Sequence, residues 1–268
     1  MEVKKKPSKI LIRLIALLLV FAMIVTTVVY QGISSNSIDP YTPSDLEAEE
    51  EQVLMDPQTL IANMQALERT RAAQKQLSDT YDACMEALEN EDYEAAVEPM
   101  EELLAYLKED KTFGPYLRAA LAELYYYTGR YAQCAMACDN ICSKGEDSDG
   151  TYTFLKGVAC LQTGAYEEGL RALQDVPEES RDGLFYYLQG VARLALEDYA
   201  GAAEAFSGAI DAGYTDIACY YNLGVAAFVS ADYETAVPAL QEVVTRDEDP
   251  SYSESAAELL AILEEAGE

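Results

Sequence analysis

The amino-acid sequence predicts an all-α fold: a solenoid of about five helical hairpins with capping helices, preceded by one transmembrane helix. Three observations carry that prediction. Nearly the same ten residues recur five times, as EDYEAAVEPM from Glu91, GRYAQCAMAC from Gly129, GAYEEGLRAL from Gly164, EDYAGAAEAF from Glu197 and ADYETAVPAL from Ala231. Their starts lie 38, 35, 33 and 34 residues apart, a spacing that marks a stacked repeat array. The residues after each tyrosine follow a helical period, and an uncharged apolar run stands near the N-terminus.

Residues 1–9 form a basic head, and residues 10–30 are the predicted anchor. The run is uncharged from Leu14 to Tyr30 and extends back to Ile10 if Arg13 snorkels toward the headgroups. At 1.5 Å per residue it spans roughly 25 to 32 Å, a bilayer core. An uncleaved anchor is favoured over a cleaved signal peptide, because the run is long and ends in TTVVYQGISS without a small-x-small site. The bases precede it, so the N-terminus is expected in the cytoplasm and everything after Tyr30 across the membrane.

Residues 31–55 are polar and then strongly acidic, read as a solvated linker in preference to a short helix capped by Ser44 and Glu47. Asp56 and Pro57 start a leading helix over residues 56–77, with an apolar stripe at Leu60, Ile61, Met64 and Leu67. Five hairpins then fill residues 78–250, starting near 78, 116, 151, 184 and 218. A capping helix occupies residues 251–268.

In each hairpin the repeated tyrosine (Tyr93, Tyr131, Tyr166, Tyr199, Tyr233) sets the register. Three residues on stand Ala96, Cys134, Gly169, Ala202 and Ala236; seven on, Met100, Cys138, Leu173, Phe206 and Leu240; ten on, Leu103, Ile141, Val176, Ala209 and Val243. Spacings of 0, 3, 7 and 10 mark one helix face. Nine residues before the tyrosine stand Cys84, Ala122, Gly157, Gly190 and Gly224. Glycine weakens a helix interior by about 1 kcal/mol relative to alanine, so its use there predicts close approach of a second backbone.

These units resemble the tetratricopeptide repeat, whose pattern runs W-x-x-L-G-x-x-Y, then a small residue, an aromatic and a proline. YYNLGVAAFVSADYETAVPALQEVV from Tyr220 matches best: Tyr220 stands for the Trp, Leu223 and Gly224 for the Leu-Gly, Ala236 for the small residue and Leu240 for the aromatic. Lys156 and Gln189 depart from the Leu before Gly, and the terminal Pro is mostly lost. The resemblance implies a right-handed α-solenoid whose first helices line a concave groove for a partner peptide.

Charge narrows the partners. The chain carries 18 Lys plus Arg against 48 Asp plus Glu, and beyond Tyr30 the balance is 13 against 47, a net of −34. Such a domain repels nucleic acid, which is bound through clustered bases. There is no histidine, so Ser/His/Asp, Cys/His and His-containing metal chemistry cannot be assembled. Nor is there a Gly-rich phosphate loop. No cofactor or metal is expected. Cys134, Cys138 and Cys142 share a helix face, but each cysteine falls in a column that other units fill with small or apolar residues. Core packing is therefore favoured over a disulfide such as Cys138–Cys160 or a soft metal. EDSDG from Glu146 fits a calcium loop poorly, because Lys156 falls where that loop needs an acid, and is read as a solvated turn.

A second stripe, twelve, eight and five residues before each tyrosine, corresponds to the groove face of the repeat that this chain resembles. The candidate partner-binding residues are Tyr81, Met85, Tyr126, Phe154, Leu161, Tyr187, Leu194, Tyr221, Asn222 and Phe228, with Leu88, Val158, Val191 and Val225 in the same stripe; for its Val and Leu members, interhelix core is an equal alternative to binding surface. No base occupies these positions, and Glu123 takes one of them. The expected partner is a basic or neutral protein segment with apolar anchors. The leading reading is a membrane-anchored, non-enzymatic interaction scaffold displayed outside the cytoplasm. A small-ligand or wall-fragment binding protein of the envelope is the alternative, and a paired-carboxylate enzyme is disfavoured, since the acids lie on expected solvated faces. The layout of short basic head, anchor and acidic exterior resembles a bacterial envelope protein.

Overall fold

The computed structural model describes residues 57–267. The predicted tail, anchor and linker lie outside the described residues. Among the described residues no helix is long and apolar enough to cross a membrane. Those residues form eleven α-helices and no strand: α1 Pro57–Glu89, α2 Tyr93–Leu107, α3 Phe113–Tyr127, α4 Tyr131–Ser143, α5 Thr151–Gln162, α6 Tyr166–Gln174, α7 Gly183–Ala195, α8 Tyr199–Asp211, α9 Ile217–Val229, α10 Tyr233–Arg246 and α11 Pro250–Gly267, with a 3-10 turn at Glu178–Ser180. Each of the five repeated tyrosines is the first residue of the second helix of its hairpin.

The chain divides into two compact units between Tyr106 and Leu107. In the first, α1 is unbroken, so the leading segment and the first helix of the first hairpin are one helix. The apolar stripe fades near Arg71, but nothing between there and Glu89 breaks a helix: the segment holds neither Gly nor Pro. Cys84, Ala87 and Leu88 of α1 and Ala96, Val97, Met100 and Leu103 of α2 are buried, and Thr80 Oγ1 donates to Glu102 Oε2 at 2.9 Å.

In the second unit, α3 to α11, each helix packs against the next, and α5 also meets α7 as α9 meets α11. Within this unit, first helices of successive hairpins are thus neighbours. The columns three, seven and ten residues after the tyrosine are buried in every hairpin, which is what a face repeated at 3, 7 and 10 requires. The small column does what its composition implies: a Cβ added at Gly190 or Gly224 would stand 2.5 Å from Phe206 or Leu240 respectively, and one at Gly157 would stand 2.8 Å from Leu173.

The turn inside every hairpin has one geometry. Two residues before each tyrosine, Glu91, Gly129, Gly164, Glu197 and Ala231 are left-handed, with φ between 57° and 78°. The next residue's N–H reaches back to the carbonyl five before it, as Arg130 to Tyr125 at 2.7 Å and Asp232 to Ala227 at 2.8 Å. This is the helix-ending motif that satisfies orphan carbonyls. The following helix needs a donor cap as well. Asp92, Asp198 and Asp232 accept from the N–H three residues on, at 3.1, 3.1 and 3.3 Å. Ala165 holds nearly the same backbone (φ −83°, ψ 63° against −82°, 72° at Asp198) with no side chain to cap α6. Ala165→Asp is therefore expected to stabilise the fold by about 1 kcal/mol, read as a raised denaturant midpoint with unchanged slope.

Candidate functional site

The candidate stripe runs along first helices that the packing sets side by side. On α3 it carries Glu123 and Tyr126; on α5, Phe154, Val158 and Leu161; on α7, Tyr187, Val191 and Leu194; on α9, Tyr221, Val225 and Phe228. Tyr126, Phe154, Tyr187, Leu194, Tyr221, Asn222 and Phe228 are half-buried, leaving apolar and aromatic surface partly open. Leu161 corrects the expectation: at 8% exposure it is core, packed with Leu173, Val176 and Phe185, because its side chain fills the space between α5 and α6. Tyr81 and Met85 are half-buried on α1 and belong to the first unit.

The tyrosines also serve packing. Tyr187 stacks on Tyr214, ring centroids 4.8 Å apart, and lies 5.7 Å from Phe206. Tyr221 meets Tyr252 of α11 at 4.8 Å, and Tyr126 meets Tyr131 edge-on at 5.8 Å. Sequence reading missed Tyr214 and Tyr252, which sit outside the repeated register. It also missed the ends of the stripe: Tyr116 and Leu184, one turn before it, and Tyr127 and Val229, one residue after it, are exposed by 51%, 39%, 52% and 49%. The helical spacing that defined the stripe extends to them.

One ionisable group lies within this apolar register. Glu123 is 9% exposed, and its Oε1 accepts from the Tyr152 hydroxyl of α5 at 3.2 Å. Burial pushes its carboxyl up to about 7, the tyrosine hydrogen bond pulling the other way. The same burial, with the carboxylate beside it, raises the Tyr152 hydroxyl, so the tyrosine remains the donor.

All six cysteines are free thiols, five of them buried. Among the described residues no group of three or more His, Cys, Asp or Glu could hold a metal ion. Burial raises Cys84 to about 11 and, with Asp216 adding to it, Cys219 to about 12. Thiolate being the reactive form, the folded protein at pH 8 is expected to leave Cys84 and Cys219 untouched by a disulfide reagent, whereas denaturant exposes all six thiols; rapid native labelling of Cys84 or Cys219 contradicts this packing. The EDSDG turn is more ordered than a solvated loop, because Asp147 caps α5, accepting from Tyr152 N at 3.0 Å, Thr153 N at 2.8 Å and Thr153 Oγ1 at 2.6 Å. Glu146 pairs with Arg118, whose Nη1 donates to the Lys108 carbonyl at 2.9 Å.

Comparison with solved structures fits this geometry. MamA from Desulfovibrio magneticus RS-1 superposes with a TM-score of 0.55 at 21% identity, over 65% of this chain and 97% of that one. A tetratricopeptide repeat protein from Parabacteroides merdae ATCC 43184 superposes with a TM-score of 0.57 at 12% identity, over 70% of this chain and 74% of that one. The fold is a tetratricopeptide-type helical array. No family model and no curated protein matches the sequence. At these identities the likeness shows the architecture alone.

Proposed function

We propose that this protein is a membrane-anchored, non-enzymatic interaction scaffold that binds a partner protein segment along the first-helix face of its array. The observation that carries the reading is the repeated, half-open aromatic stripe, extended at its ends by Tyr116, Tyr127, Leu184 and Val229. Stacked helical repeats offer such faces as extended binding surfaces, and a tyrosine ring suits a surface that is wet in the free state and dry in the complex. The stripe carries no base and the chain beyond Tyr30 has a net charge of −34, so the partner segment is basic or neutral with apolar anchors. The basic head and the apolar run of residues 10–30 support a cytoplasmic N-terminus, a bilayer contact and an extracytoplasmic array.

The test uses full-length protein cross-linked in intact cells and purified in detergent. Tyr127→Ala combined with Val229→Asp leaves the core alone, since both side chains are about half exposed, and is expected to abolish recovery of the specific partner. An unchanged partner set overturns the reading. Protease added outside the cells is expected to degrade the array, and complete protection would overturn the topology.

A further inference from the structure

We propose that the α3–α5 stretch of this face is a subsite for one cationic side chain, Lys or Arg, of the bound segment, with Glu123 as its counter-ion and tyrosine rings beside it. The inference rests on the reading of the face as a binding surface and adds a chemical identity to one place on it.

The same register position carries Met85 in the first hairpin, Val158 in the third, Val191 in the fourth and Val225 in the fifth. An apolar residue therefore suffices for the architecture, and the acid in the second hairpin is an exception that packing does not require. Burying a carboxylate is unfavourable unless it is paired or fully hydrogen-bonded. Glu123 has one side-chain hydrogen bond, from Tyr152 to Oε1, and no ion pair among the described residues involves it. The carboxyl is thus nine-tenths buried, with its hydrogen bond from Tyr152 on Oε1.

Among the described residues, the cations carried by α3 and α5 are engaged elsewhere. Arg118, on the same helix, is committed to Glu146 and the Lys108 carbonyl, and Lys156 on α5 to Asp139 at 2.6 Å and Glu168 at 3.6 Å. The surrounding surface suits a cation with an aliphatic stem. Tyr126 and Tyr127 follow Glu123 by three and four residues, one helical turn, and Tyr116 precedes it by seven, two turns, so all three share its side of α3. Tyrosine faces attract ammonium and guanidinium groups, and their edges accept the methylene stem. An anionic or purely apolar anchor would leave the carboxylate desolvated and unpaired, so the site discriminates by charge sign.

The test is a selection of displayed random 12-residue peptides on the full-length protein in detergent, run in parallel on wild type and Glu123→Gln. Gln keeps the acceptor for Tyr152 and the side-chain shape. Wild type is expected to enrich Lys or Arg between apolar residues, and the variant to keep the apolar anchors while losing the base. With one selected peptide, replacing its Lys by norleucine is expected to weaken binding to wild type at least ~10-fold and to the variant by less than ~2-fold, the non-additivity of a direct pair. Tyr152→Phe, which leaves the acid in place, is expected to retain the preference for Lys. Equal enrichment of bases on Glu123→Gln, or no enrichment on wild type, overturns the subsite alone. Peptides that bind equally well to Tyr127→Ala with Val229→Asp, or a failure to select any peptide, overturn the face itself.

Discussion

Gly190→Ala is expected to lower the unfolding free energy by about 2 kcal/mol, although alanine is the better helix former. A Cβ at this position would lie 2.5 Å from Phe206 Cε1, 2.6 Å from Cδ1 and 2.8 Å from Cζ. The Phe206 ring is fully buried and is flanked by Tyr187, so it cannot swing away without disturbing α7, α8 and α9 together. Overpacking of this kind costs about 1 to 3 kcal/mol or more, against a propensity gain of about 1 kcal/mol. Gly208→Ala, one helix away, is expected to act in the opposite direction. There the added Cβ meets only the Tyr186 ring, at 3.7 Å, so the propensity gain of up to about 1 kcal/mol survives. Chemical denaturation of both variants in one buffer checks the pair. A gain at both positions would mean that helix propensity alone, and not the approach of α7 to α8, decides the outcome at position 190.

That contrast also marks what a linear sequence can disclose. The buried columns at 3, 7 and 10 and the small residue nine before the tyrosine were legible because they follow a helical period repeated five times, and each repetition tests the others. The hairpin turn was legible as a place but not as a geometry, since Glu91, Glu197 and Ala231 occupy a left-handed backbone that only Gly129 and Gly164 announce by residue type. The face was readable to within one turn. Leu161 was assigned to it and is core, whereas Tyr116 and Tyr127 were left out and are open. The twelve-eight-five stripe lies at the border between groove and interhelix contact, and a helical wheel fixes that border only to about one residue. Tyr214 and Tyr252 were invisible, because one stands in a connection and the other in the capping helix. Their ring contacts with Tyr187 and Tyr221 arise from the superposition of neighbouring hairpins, which no local period encodes.

Burial of Glu123 predicts the second large effect, a stability gain from Glu123→Gln that depends on pH. The carboxyl is raised to about 7 in the folded chain, against about 4.3 for an unperturbed glutamate. A group whose folded value lies above its unfolded one stabilises the fold fully below the unfolded value, and that contribution disappears as pH rises through the folded value. Wild type should therefore lose stability from about pH 4.5 to about pH 8 relative to the variant, and change little beyond. The full difference is about 4 kcal/mol. The groups facing Glu123 do not offset this. Tyr152 from α5 stays protonated, and Cys134 from α4 bears on the same carboxylate without supplying a positive charge. At pH 4.5 the variant and wild type are expected to unfold at nearly the same denaturant concentration, and at pH 8.5 the variant is expected to be clearly more resistant. A gap that is the same at both pH values would mean that Glu123 is solvated and ionises as an ordinary surface acid. Saturation with a Lys-bearing peptide that occupies the proposed subsite should pull the carboxyl back toward its ordinary value, since a paired cation favours the ionised form; the excess stability of the variant at pH 8.5 would then shrink, tying the cost of the buried charge to the partner that relieves it.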